Sequence, residues 1–97
     1  MLANRILENS LLIRECRRTL ISLQGEIKKI TDQLKNGNLN PGIGNKSIGG
    51  GIIESRTRGG GRVYWKIREG QIEILGISGK NNQQKVINEV LKHFGGE

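Results

Sequence analysis

Residues 52–68 read IIESRTRGGGRVYWKIR, and the pattern predicts two β-strands joined across Gly59, Gly60 and Gly61. Successive side chains of an extended strand point to opposite faces, so Ile53, Ser55 and Thr57 take one side and Glu54, Arg56 and Arg58 the other. In the second strand Val63, Trp65 and Ile67 face a core, while Arg62, Tyr64, Lys66 and Arg68 share the opposite surface. Paired in that sense, the polar face carries five cations, one carboxylate and one phenol. A polar outer face is ordinary in an antiparallel sheet, and arginines on it are ordinarily solvated. This face lacks the mixture of signs that limits repulsion, and like charges directly opposite one another weaken a sheet. An anionic partner, or chemistry on one, is the expected use of the face.

The rest of the chain fits that expectation. Its 97 residues carry a formal net charge of +7, enough chain for one domain with a modest core built from Ile, Leu and Val. The positive excess falls in residues 1–80, which makes nucleic acid the leading class of partner. A membrane is not expected as a partner, because no segment approaches the length of a spanning helix. The only cysteine, Cys16, lies at an apolar position of a helical pattern and reads as a small core residue in a reducing compartment. MLANRILENS lacks the features of a signal peptide. His93 and Cys16 are far apart among scattered acids, so neither a metal site nor another cofactor is expected.

Upstream of the hairpin, Ile6, Ile13, Cys16, Leu20, Leu23, Ile27, Ile30 and Leu34 recur at helical spacing through residues 1–36. One straight helix of that length is too long for so small a domain. Ser22 as an N-cap and Gly25 as a weak helix former favour a helical hairpin bent near 20–25, with a coiled coil as the competing reading. Lys35-Asn36-Gly37 supplies a C-terminal cap. Residues 37–51, with the only proline and a run of glycines, read as a crossover loop. They lack the GxxxxGK[ST] pattern of a nucleotide-binding loop. Downstream, Gln71–Lys80 reads as a third strand, apolar on both faces as under helical cover, with a bulge near Gly76. Residues 82–94 read as a helix burying Val86, Ile87, Val90, Leu91 and Phe94, with His93 structural or incidental and Gly95 and Gly96 stopping it. The antiparallel sheet spans 52–80, and the fold class is α+β.

The phrases NLNPGIG, GGRVYWKI and IEILGISGKNNQQKVI, in this order of elements, resemble the RelE/ParE toxin superfamily over residues 25–94. More widely the chain is similar to the small ribonucleases that include barnase and RelE, and to toxin domains delivered in contact-dependent growth inhibition. The family opens with a strand; here the sheet has three strands, or four if Leu11-Leu12-Ile13 is extended. The resemblance implies a metal-independent endoribonuclease cleaving transfer or messenger RNA, in which the 2′-hydroxyl attacks the adjacent phosphate. That chemistry needs a base, a cation for the developing phosphorane and an acid for the departing oxygen. Carried over by position, Arg56 and Arg62 form the phosphate clamp and Lys66 adds a charge. Tyr64 is acid, base or stacking ring, and Glu54 is a candidate base. Arg58, Arg68 and Lys80 are RNA-binding. The resemblance further implies action in the bacterial cytoplasm, an acidic antitoxin or immunity protein, and the ribosome as a further partner. Gyrase inhibition by a ParE-like toxin and a non-catalytic nucleic-acid-binding domain are the alternatives.

Overall fold

The computed structural model describes residues 25–95. The apolar stripe from Ile6 to Leu23, the core position of Cys16, the Ser22 cap and the possible strand at Leu11–Ile13 lie outside them. The described chain is α+β. A helix, α1, covers residues 25–35. Four strands follow, β1 (Gly44–Gly49), β2 (Ile52–Arg56), β3 (Arg62–Arg68) and β4 (Gln71–Ser78), and then α2 (Gln83–Phe94). The strands form one antiparallel sheet in the order β1-β2-β3-β4.

Helix α1 buries Ile27, Ile30 and Leu34, three residues at helical spacing. It ends as its sequence demands. Gly37 adopts φ 89°, its N–H bonds to Leu34 O at 3.1 Å, and Asn38 N–H reaches back to Gln33 O at 2.9 Å. That pair of bonds is a Schellman cap, which only a residue tolerant of the left-handed conformation completes cheaply.

The first departure from expectation is β1, which lies inside the segment read as a loop. Glycine and asparagine carry no strand propensity, so the pairing with β2 holds Gly44–Gly49 extended. The side chains help: Asn45 Nδ2 donates to Pro41 O at 3.0 Å and Ser55 Oγ donates to Asn45 Oδ1. The fourth strand therefore comes from the glycine-rich stretch.

The sheet has a helix on each side. On one face Ile27, Ile30 and Leu34 of α1 pack with Val63, Trp65, Ile72, Ile74 and Ile77. On the other, Val86, Val90 and Phe94 of α2 pack with Ile52, Tyr64 and Leu75. A register shift opposite Tyr64 and Trp65 leaves Leu75 as the extra residue, next to Gly76. The bulge turns Leu75 toward α2 while Ile72, Ile74 and Ile77 keep to α1, as one inserted residue must. Apolar residues on both faces of β4 thus reflect cover on both faces.

Two placements correct the pattern reading. The polar face of the β2–β3 hairpin is not an open surface, because α2 lies across it. Ile67 is 53% exposed; alternation puts it on the α1 side, but near the β3–β4 turn, where no described residue covers it.

Candidate functional site

The turn between β2 and β3 is built from Thr57. Its N–H bonds to Gly61 O at 2.8 Å, its carbonyl accepts from Gly60 N at 3.2 Å, and its Oγ1 accepts from Gly61 N at 2.9 Å. The same hydroxyl donates to Glu26 Oε1 at 2.6 Å, and Gly59 N–H donates to that oxygen at 3.1 Å. A helix residue 31 positions upstream of Thr57 thereby clamps the turn. The clamp carries Arg58 off the strand and out to the turn, so alternation does not place it.

Around this turn lies a cleft of about 530 Å³ whose lining includes Arg56, Arg58, Gly59, Gly60, Arg62 and Lys80. Four cations meet here from three places: the end of β2, the turn and start of β3, and the end of β4. Arg56 and Arg62 are direct partners in the ladder, the opposition of like charges that a sheet disfavours. No carboxylate is among the described residues lining the cleft. Arg62 is only 8% exposed. Its Nη1 donates to Gly60 O at 2.6 Å, while its buried Nε has no hydrogen-bond partner among the described residues. A buried guanidinium with an unused donor is costly to keep unless an acceptor arrives.

Behind the cleft, under α2, lies a second set of polar groups. Tyr64 is fully buried and shares a hydrogen bond of 2.8 Å with Ser78 Oγ. Burial pushes its phenol well above the usual range; the Ser78 hydrogen bond opposes the rise and the Glu54 carboxylate adds to it. Tyr64 therefore holds its proton at any physiological pH, so it can donate a hydrogen bond or a proton but cannot serve as a base. Glu54, 4% exposed, is the ladder partner of Tyr64, and its Oε2 accepts from Gln83 Nε2 at 2.9 Å. Helix α2 thus ties its first turn to the carboxylate as well as its apolar stripe to the sheet.

The seven polar residues of the hairpin and Lys80 therefore do not form one open patch. Arg56, Arg58, Arg62 and Lys80 converge on the cleft. Glu54 and Tyr64 share its side of the sheet but are covered. Lys66 is buried opposite Glu73, and Arg68 stands at the far end of β3, 3.9 Å from Glu73 Oε1. At about 3.3 Å per strand residue, Lys66 is some 13 Å along β3 from Arg62, too far to grip the same phosphate. His93 keeps to α2, 3.4 Å from Glu89. Glu26, Thr57, Ser78 and Gln83 carry the site's hydrogen bonds and have no sequence signal, because each meets its partner only through the fold. Comparison with protein-family models, with curated proteins and with solved structures finds no match to this chain. Chemically, the cleft can bind a phosphate or polyphosphate through guanidinium and ammonium groups.

Proposed function

We propose that the chain is an endoribonuclease that grips a phosphodiester of RNA in the cleft between Arg56, Arg58, Arg62 and Lys80. The observation that carries this reading is the convergence of four cations on one cleft, with the buried Arg62 Nε lacking an acceptor among the described residues. A bound phosphate offers acceptor oxygens to several of these donors together, and their charge is worth most where negative charge grows on the pentavalent phosphate. In the reaction the O2′–P bond forms and the P–O5′ bond breaks. The proton of the 2′-hydroxyl leaves to a base, and a proton reaches the departing 5′ oxygen. In this reading Tyr64, which keeps its proton, is restricted to the acid side, and Glu54 is the carboxylate for the base side. The resemblance of the chain to RelE-like toxins supports cleavage by side chains alone, and with it a toxin restrained by an acidic partner protein.

A second reading follows from burial. Glu54 and Tyr64 lie beneath α2, and a chain that grips RNA without bringing a base to it is a binding module.

One experiment separates the two. The purified protein is incubated with transfer RNA in EDTA, and cleavage and retention are followed for the wild type, Arg56→Ala and Tyr64→Phe. The ribonuclease reading expects cyclic-phosphate ends, a loss of both binding and cleavage in Arg56→Ala, and a loss of cleavage alone in Tyr64→Phe. RNA that is retained but intact leaves the binding module. RNA that is neither retained nor cut removes both.

A further inference from the structure

The cleft holds more positive charge than one phosphodiester can neutralise. Arg56 and Arg62 face each other across the β2–β3 ladder, yet their guanidinium groups turn apart. A Cβ at Gly44, the β1 partner of Arg56, would stand 3.1 Å from Arg56 Nη2, so that guanidinium rests on bare backbone over β1. Arg62 turns the other way: a Cβ at Gly60 would stand 4.0 Å from Arg62 Nη1 and 3.6 Å from Lys80 Cβ. One cation thus marks the β1 side of the cleft and two mark the Gly60 side, with Arg58 on the turn between the strands. The volume of about 530 Å³ falls among pockets that enclose whole small ligands, roughly 300–1,000 Å³. Each phosphate of an RNA strand brings one negative charge, and the next lies a whole nucleotide away. A strand seats one phosphate centrally and meets the remaining cations only with its flanking groups.

We infer that the cleft takes a linear triphosphate group in preference to a phosphodiester, and that such a ligand regulates the site by shutting RNA out of it. The inference rests on the reading of the cleft as the RNA site. A triphosphate carries about four negative charges near neutral pH, because the second ionisation of its terminal group lies near pH 6. Its phosphoryl groups share bridging oxygens, so those charges stand side by side in one small ligand. Four cations with no carboxylate among the described lining residues match that anion. The buried Arg62 Nε, which no described residue uses, gains an acceptor from it. Hydrogen bonds from guanidinium and ammonium groups to phosphoryl oxygens are charge-assisted and strong. Gathering all the negative charge inside the cleft also shortens each cation–anion distance, and the attraction grows as distance falls. Free inorganic polyphosphate, a nucleoside triphosphate and the 5′ end of a primary transcript all supply this chemistry.

The test is calorimetric titration of the whole chain with inorganic phosphate, pyrophosphate and triphosphate, at fixed ionic strength in EDTA. Each added phosphoryl group gains at least one charge-assisted hydrogen bond, so affinity is expected to rise about tenfold per group. Triphosphate is expected to displace a 5′-hydroxyl RNA oligomer and to inhibit cleavage of transfer RNA competitively. Arg62→Met and Lys80→Ala are each expected to weaken triphosphate binding about tenfold. Lys80 is exposed, so its replacement leaves a folded protein to measure if Arg62→Met does not. Equal affinity for the three anions overturns the proposal, as does triphosphate bound together with RNA, or bound as tightly after Lys80→Ala. Two further titrations assign the source. Adenosine triphosphate that binds more tightly than inorganic triphosphate assigns a nucleotide, and equal affinity assigns the inorganic chain. A gain in RNA affinity from a 5′-triphosphate assigns the transcript end. RNA that is bound and cut by a chain indifferent to triphosphate keeps the ribonuclease and removes this inference. Triphosphate bound with RNA neither retained nor cut does the reverse.

Discussion

At the scale of single residues, Arg62 and Tyr64 are side chains of one strand, two positions apart, with opposite commitments. Arg62 is a buried cation with a donor that no described residue uses, a state that function explains better than stability does. Replacing a buried charge by an apolar side chain of similar volume is often neutral or stabilising. Arg62→Met is therefore expected to leave unfolding stability within about 1 kcal/mol of wild type, or to raise it, while weakening phosphate binding about tenfold. Chemical denaturation beside phosphate titration measures both, and a loss of 3–5 kcal/mol, roughly that of an orphaned charge pair, would show that Arg62 serves the fold. Tyr64 makes the complementary case. Its folded pKa is raised, so the folded state keeps the proton after the unfolded chain has lost it. Its contribution to stability is complete below the unfolded value near pH 10 and declines as pH climbs from there toward the folded pKa. The slope is about 1.4 kcal/mol per pH unit for one proton. The stability difference between wild type and Tyr64→Phe, followed by denaturation from pH 8 to 12, is expected to be flat and then fall with that slope. A difference that stays flat throughout would mean that the phenol titrates as it does in water.

At the scale of elements, α2 decides what the polar face of the hairpin can do. It presents Val86, Val90 and Phe94 to Ile52, Tyr64 and Leu75, and Gln83 to Glu54. The face that alternation marks as polar is thus partly a core, and only the end near the turn, beyond the reach of the helix, remains a cleft. Phe94→Ala removes an aromatic ring from the smaller of the two core clusters and is expected to cost about 3 kcal/mol, near the low end for a buried aromatic because the residue sits in the helix's last turn. Thermal unfolding checks the size of the loss. Amide exchange in β3 and β4 checks its place, and an unchanged exchange pattern there would mean that α2 rests on the sheet without supporting it. The turn of the β2–β3 hairpin depends on an element distant in sequence, since α1 supplies Glu26.

At the scale of the molecule, charge distribution sets association. With one phosphodiester gripped in the cleft and the flanking phosphates also met by its four cations, about four backbone charges of a single strand are neutralised, and a slope of about −3 in log K against log salt concentration is expected. Binding of a single-stranded RNA oligomer between 50 and 300 mM salt measures it. A slope near zero would place binding outside the cleft. Removing Arg56 is expected to bring the slope toward about −2, whereas removing Arg68, at the opposite end of the strand, is expected to leave it as it is.

Much of the architecture was legible because local chemistry and the final packing agree. The central hairpin, the cap at Gly37, the bulge beside Gly76, the apolar third strand and the stripe of the last helix each carry a period or a turn residue that the fold honours. Strand β1 was not legible, since a glycine-rich segment becomes a strand only when a neighbour offers it hydrogen bonds. The site was legible in its residue types and in part of its membership. Arg56 and Arg62 were marked by sign and strand spacing, Arg58 by its sign and Lys80 by the resemblance, and the four line one cleft. Which of the marked groups stay outside the cleft was decided by α2 and by distance along β3. The sequence alone determined the α+β class, the excess of positive charge and the strand on which it gathers, because these depend on composition and on the two-residue period. Only the tertiary structure decided that Tyr64 and Glu54 lie covered, that Lys66 and Arg68 stand apart and that Glu26 joins the turn. Burial and convergence are relations between segments far apart in the chain, and no local pattern encodes them.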